Sequence, residues 1–186
     1  IGFDTGTLTA AGVLAKKSGM ILSEFILLGI GGKKYSDENA ILTAQALNII
    51  KPDFIRVHAT AIKPETELGN MLKRGIFELQ SEEEIVIEQK KFIENLESMD
   101  SYYVNEHIVN LLMEVRGNLQ DCKERMLNQI DMYLNMSEED KENFAVGRRL
   151  NYYFILSDLN NAKKKKIVAE YISNLKEKNV DIDMAC

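Results

Sequence analysis

The segment between residues 20 and 60 constrains the fold most. Met20 to Leu28 is a near-continuous apolar run of strand length, broken only by Ser23 and Glu24. Gly29, Gly31 and Gly32 follow, then Ser36, Asp37 and Glu38, with Ser36 the expected N-cap of a helix. Ala40, Ala44 and Leu47 line one face of that helix, which ends near Lys51-Pro52. Residues 53–60 alternate Phe54, Arg56 and His58 against Ile55, Val57 and Ala59, the period of a second strand. Strand, helix and strand in this order form a right-handed crossover, so the two strands are expected to be parallel. The glycine turn then lies at the C-terminal end of the first strand. Open α/β sheets and (β/α) barrels both place their ligands there.

The flanking sequence reads differently. Residues 7–18 form an expected helix, with Leu8, Ala11, Gly12 and Ala15 on one face and Lys16 and Lys17 at its C-terminal end. Residues 62–75 read as a loop and short helix, and Ser81 with Glu84 forms a capping box opening another helix. Residues 102–117 fit either a short strand or a helix. From Leu119 onward the chain reads as helical: Leu119, Cys122, Met126, Ile130 and Tyr133 recur at helical spacing, and further helices start near Ser137 and Asn161. Two strands, or three, against six helices is an unbalanced count. An isolated parallel pair leaves two edges unpaired, yet the first strand reads as buried on both faces. More sheet is therefore expected upstream of Ile1. On this reading residues 1–80 are the later part of a larger α/β domain and residues 81–186 a helical extension.

Composition narrows the function classes. A net charge of −6 argues against general nucleic-acid affinity. No apolar run is long enough to cross a bilayer and no signal peptide opens the chain, so no membrane partner and a cytoplasmic location are expected. Cys122 and Cys186 lack the spacing of a disulfide framework or metal site, and Cys122 reads as core. His107 has no second histidine at helical spacing, as a metal-binding helix requires. Lys163 to Lys166, with Asp158, Glu170 and Glu177 nearby, read as a solvated face.

The turn itself matches neither a dinucleotide fingerprint nor a P-loop, because no third glycine and no Gly-Lys-Ser/Thr follow at the required spacing. It is either a turn needing positive φ or a place where backbone approaches a ligand. Glu24, costly in a buried strand, pairs with Arg56 or Lys63, marks a strand start shifted toward the surface, or faces a polar cavity. Arg56 and His58 share one face of the second strand, where His58 is either structural or functional.

Ile21 to Leu68, with its strand, Gly29-Ile30-Gly31-Gly32 turn, helix, second strand and Lys63-Pro64, resembles the C-terminal part of a radical S-adenosylmethionine (radical SAM) enzyme barrel. Residues 105–117 and 143–154 resemble the helical tail of an uncharacterised bacterial branch whose barrel is similar to that of oxygen-independent coproporphyrinogen oxidases. The resemblance implies an α/β fold: a partial (β/α) barrel with few parallel strands and a mostly helical C-terminal extension. It implies adenosyl contacts at Gly29, Ile30 and Gly31, and at Val57, His58 and Ala59. A polar contact falls at Glu24, or at Ser23 or Phe25 if the register shifts by one.

The family's Cys-x-x-x-Cys-x-x-Cys signature is absent. The resemblance therefore implies that the [4Fe–4S] cluster and SAM belong to an intact parent, which generates a 5′-deoxyadenosyl radical. This chain alone is then an inactive fragment with no catalytic or metal-binding residue and no bound cofactor. Its partners would be the missing N-terminal half of the barrel, or a second copy covering the exposed sheet edge. The alternatives are a non-enzymatic helical scaffold with a small α/β core, or a Rossmann-type nucleotide-binding domain, which the absent fingerprint disfavours.

Overall fold

The computed structural model describes residues 2–178. Helix α1 (Thr5–Lys17) is opened by Asp4, whose carboxylate accepts from the Thr7 amide at 2.8 Å. Strand β1 (Ser23–Leu28) is shorter than the apolar run, because Met20 and Ile21 stay outside it and exposed. Helix α2 (Ser36–Ile50) packs along α1 and stops at Lys51, which adopts the left-handed region at φ 51°. Strand β2 (Phe54–Ala59) then pairs with β1 in parallel, with Ser23 opposite Phe54 and Leu27 opposite His58. The expected crossover is present.

One detail differs. Tyr35, not Ser36, occupies the N-cap of α2, and it makes no side-chain cap. Ser36 is the first helical residue, and its hydroxyl turns to a buried carboxylate described below.

Helix α3 (Glu67–Lys73) is the short helix expected after β2. Helix α4 (Glu82–Asn95) begins with the predicted capping box, in which the Ser81 hydroxyl accepts from the Glu84 amide and Glu84 reaches back to the Ser81 amide. The ambiguous stretch 102–117 supplies strand β3 (Tyr102–Val104), parallel to β2, followed by a loop. Strand β4 (Gly117–Asn118) then pairs antiparallel with β3. The sheet has four strands in the order β1-β2-β3-β4, so β1 is an edge. Its outer side is unpaired among the described residues.

Helices α5 (Leu119–Leu134), α6 (Glu138–Arg149) and α7 (Ala162–Glu177) complete the extension, with a 3₁₀ turn at Leu156–Asn160. Met126, Ile130, Tyr133, Phe144, Tyr153 and Val168 are buried in the same cluster as the sheet's inner face. Lys164, Lys165 and Lys166 pair with Asp158, Asp140 and Glu170, as a solvated helix face does. Cys122 is half-buried; Cys186 lies outside the described residues. No described helix is long and apolar enough to cross a membrane.

The two faces of the sheet differ. Ile26, Leu28, Ile55, Val57 and Tyr103 are buried in one core with residues of α2 and α4. The opposite face carries Phe25, Leu27, Phe54, Arg56, His58 and Tyr102, with Phe25 65% and Leu27 47% exposed. Burial of β1 on both faces, expected from its apolar run, is thus met on one side only among the described residues. The run is continuous because the open face is apolar too.

Candidate functional site

The glycine turn is held from beneath by an internal carboxylate. Glu88, on α4, is 1% exposed. It accepts from the Gly29 amide at 3.1 Å, from Asn39 Nδ2 at 2.7 Å and from the Ser36 hydroxyl at 3.0 Å. A tight turn leading into a helix N-terminus attracts negative charge, and here the chain supplies the anion itself. Gly29 and Gly32 have φ of 81° and 59°. At Gly32 a β-carbon would also stand 2.6 Å from the Glu78 carbonyl oxygen, so both conformation and space require glycine. The amides of Ile30 and Gly31 have no acceptor among the described residues.

The end of β2 is held by a side chain acting as a strand. Beyond Val104, where β3 stops, Asn110 accepts from the Ala59 amide at 2.9 Å and donates to the Val57 carbonyl at 2.7 Å. It donates also to Asn105 Oδ1 at 2.5 Å, and Asn105 in turn bonds the Leu112 carbonyl at 2.6 Å. Arg148, on α6, fixes this loop. Its 4%-exposed guanidinium donates at 3.0 Å to each of the carbonyls of Leu111, Asn110 and Tyr153. Burial makes it a weaker base than usual, and the nearby Glu114 offsets part of that. Glu114 accepts from the Leu156 amide, and its burial raises its pKa.

The loop also brings the chain's two histidines together. His107 stacks on His58 with ring centroids 4.2 Å apart and planes 21° from parallel. Phe25 meets His58 edge-on at 5.3 Å. Arg56, two residues before His58 on the same face, donates from Nε to the Ser23 hydroxyl at 3.1 Å. Desolvation, then the neighbouring His107, then Arg56 lower the pKa of His58 from its ordinary 6.5.

Glu24 is not part of this group. It belongs to the helix-covered face, bordering a groove with Thr5, Leu8 and Leu42, and burial raises its pKa. It pairs with neither Arg56 nor Lys63: Arg56 is on the opposite face, and no ion pair of Glu24 occurs among the described residues. Of the alternatives one residue away, Ser23 and Phe25 both lie on the His58 face.

Gly29, Ile30 and Gly31 therefore sit in one turn beside the end of β2, where the Leu28 carbonyl accepts from the Thr60 amide at 2.8 Å. Val57 and Ala59 have backbone groups committed to Asn110, while the His58 ring reaches the open face. Between the strand ends and α4 lies a cavity of about 110 Å³, bordered by Leu28, Thr60, Val86, Gln89, Asn105 and Asn110. Glu82 and Arg149, which also border it, form an ion pair.

Glu88, Asn110 and Arg148 escape the sequence reading, although Glu88 had a signal. It occupies the apolar stripe of α4 between Ile85 and Phe92, where a carboxylate needs partners. No described group of three His, Cys, Asp or Glu side chains could hold a metal ion, so these residues offer no ligand set for an iron–sulfur cluster. Comparison with family models, curated proteins and solved structures finds no match for this chain.

Proposed function

We propose that this chain is the C-terminal portion of a radical SAM enzyme, whose intact form binds a [4Fe–4S] cluster and SAM and generates a 5′-deoxyadenosyl radical. One observation carries the reading. The parallel β1–β2 pair has helices on one face, with a second face open and a β1 edge unpaired among the described residues, and the glycine turn lies at its C-terminal end. In a (β/α) barrel the strands continue past such an edge, and the face away from the helices is the interior.

The cluster ligands belong, on this reading, to the part of the barrel preceding Ile1. When bound there, the cluster supplies the electron for SAM cleavage. The residues of this chain orient and shield. Glu88 fixes the turn, and the Ile30 and Gly31 amides, which have no acceptor among the described residues, would serve as donors for the nucleoside. Asn110 holds the end of β2, with Val57, His58 and Ala59, in a single position beside them.

The test extends the reading frame upstream of Ile1 and purifies the product without oxygen. Iron content and release of 5′-deoxyadenosine from SAM under reduction are then measured. Iron together with SAM cleavage is the expected result. A product without iron would overturn the reading and leave a helical scaffold with a small α/β core.

A further inference from the structure

We propose that the open face of the β1–β2 pair is an anion-binding site, taking the carboxylate or phosphate of a small molecule between the Arg56 guanidinium and the stacked His58–His107 pair. The site requires neither cluster nor nucleoside, and its residues all belong to this chain.

Three groups able to carry positive charge meet on this face without a counter-charge. Arg56 touches only the Ser23 hydroxyl and the Phe54 ring among the described residues. By contrast Arg116 and Arg149 each take a glutamate. Neither imidazole hydrogen-bonds a protein group among the described residues, and His107 Nδ1 is shielded from solvent with no partner among them. The groups acting on His58 are His107 and Arg56, both of which disfavour its proton, and no carboxylate opposes them. A bound anion would supply the missing counter-charge.

The position of these groups is set in advance. Arg56 and His58 are fixed by the strand, two residues apart on one face. His107 is carried by the loop that Arg148 clamps, and its carbonyl accepts from the Asn110 amide at 2.9 Å. Phe25 packs edge-on against His58 and helps fix the orientation of its ring. Arg56 keeps its positive charge, and an anion held beside it would favour the proton on His58. That suits a carboxylate or a phosphate better than a neutral ligand.

The chain has two histidines in all, so its imidazole Cε1–H region in an NMR spectrum holds two resonances. Their pH titrations are recorded in chloride, acetate and phosphate at matched ionic strength. The expected result is a rise of about one unit in the pKa of His58 in at least one of the two ligand anions. A shift in phosphate alone assigns a phosphate-bearing ligand, and one in acetate alone a carboxylate. Arg56→Gln should abolish the shift, and Arg56→Lys, which keeps the charge, should retain most of it. Identical titrations in all three salts would overturn the proposal, as would a shift that survives in folded Arg56→Gln. Neither depends on whether the upstream-extended protein binds iron.

Discussion

At Glu88 one side chain does what a bound ligand does elsewhere. Three donors from β1's turn and from α2 converge on a carboxylate carried by α4. Removing it takes the acceptor from the Gly29 amide and the Ser36 hydroxyl, while Asn39 keeps the Leu27 carbonyl, so Glu88→Ala should lower the unfolding free energy by about 3 kcal/mol in urea titration. Glu88→Gln, which keeps one acceptor oxygen, should lose less. His58 gives the second residue-scale prediction. Its folded pKa lies below 6.5, so in the window running downward from that value the unfolded chain binds more protons. Stability attributable to His58 therefore climbs as pH rises through the window and is complete above 6.5. The difference in urea midpoint between the native chain and His58→Gln should grow from about pH 5 to about pH 7. A flat difference would mean that the imidazole is no less basic when folded. Arg56 and His58 were legible as one face from period two alone. That His107 would stack on His58 was not, because the loop carrying it takes its shape from distant partners.

The element that sets that loop is α6, and its control rests on how closely α6 approaches Tyr153. At Gly147 a β-carbon would stand 2.1 Å from a Tyr153 ring carbon, and the next residue is the Arg148 that binds the loop's carbonyls. Gly147→Ala should therefore cost about 2 kcal/mol and displace the loop. The check is thermal unfolding together with the ring-current shifts of the two imidazoles. An unchanged melting temperature with the histidine signals in place would show that the contact relaxes freely. Gly32→Ala, at φ 59° against the Glu78 carbonyl, should likewise cost about 2 kcal/mol. Elements with strong local signals were readable: the capping box of α4 and the β1–α2–β2 unit formed where the spacing put them. Ser36 was misplaced by one position: its hydroxyl, which would accept in a cap, instead accepts from Gln80 Nε2 and donates to Glu88, 52 residues away. Strand β3 has three residues, too few for a period, and pairing with β2 defines it.

For the whole molecule, the sequence carried the imbalance between few strands and many helices, and the sheet retains it as an edge unpaired and a face open among the described residues. It could not show which face would be open, since Phe25 and Leu27 are as apolar as Ile26 and Leu28. An edge strand offers free N–H and C=O groups to any second strand, and here the adjoining face adds exposed Phe25, Leu27 and Tyr102. The chain expressed by itself should therefore associate with itself, and its weight-average sedimentation coefficient should rise with concentration through the micromolar range. Phe25→Lys puts a charge on that face beside the edge, and it should return the protein to a monomer without loss of helical ellipticity. On the barrel reading, extending the reading frame upstream of Ile1 should do the same by covering the edge. A native chain that sediments as a monomer at every concentration, with its sheet intact, would mean that the edge needs no cover, and the barrel reading would lose the observation it rests on.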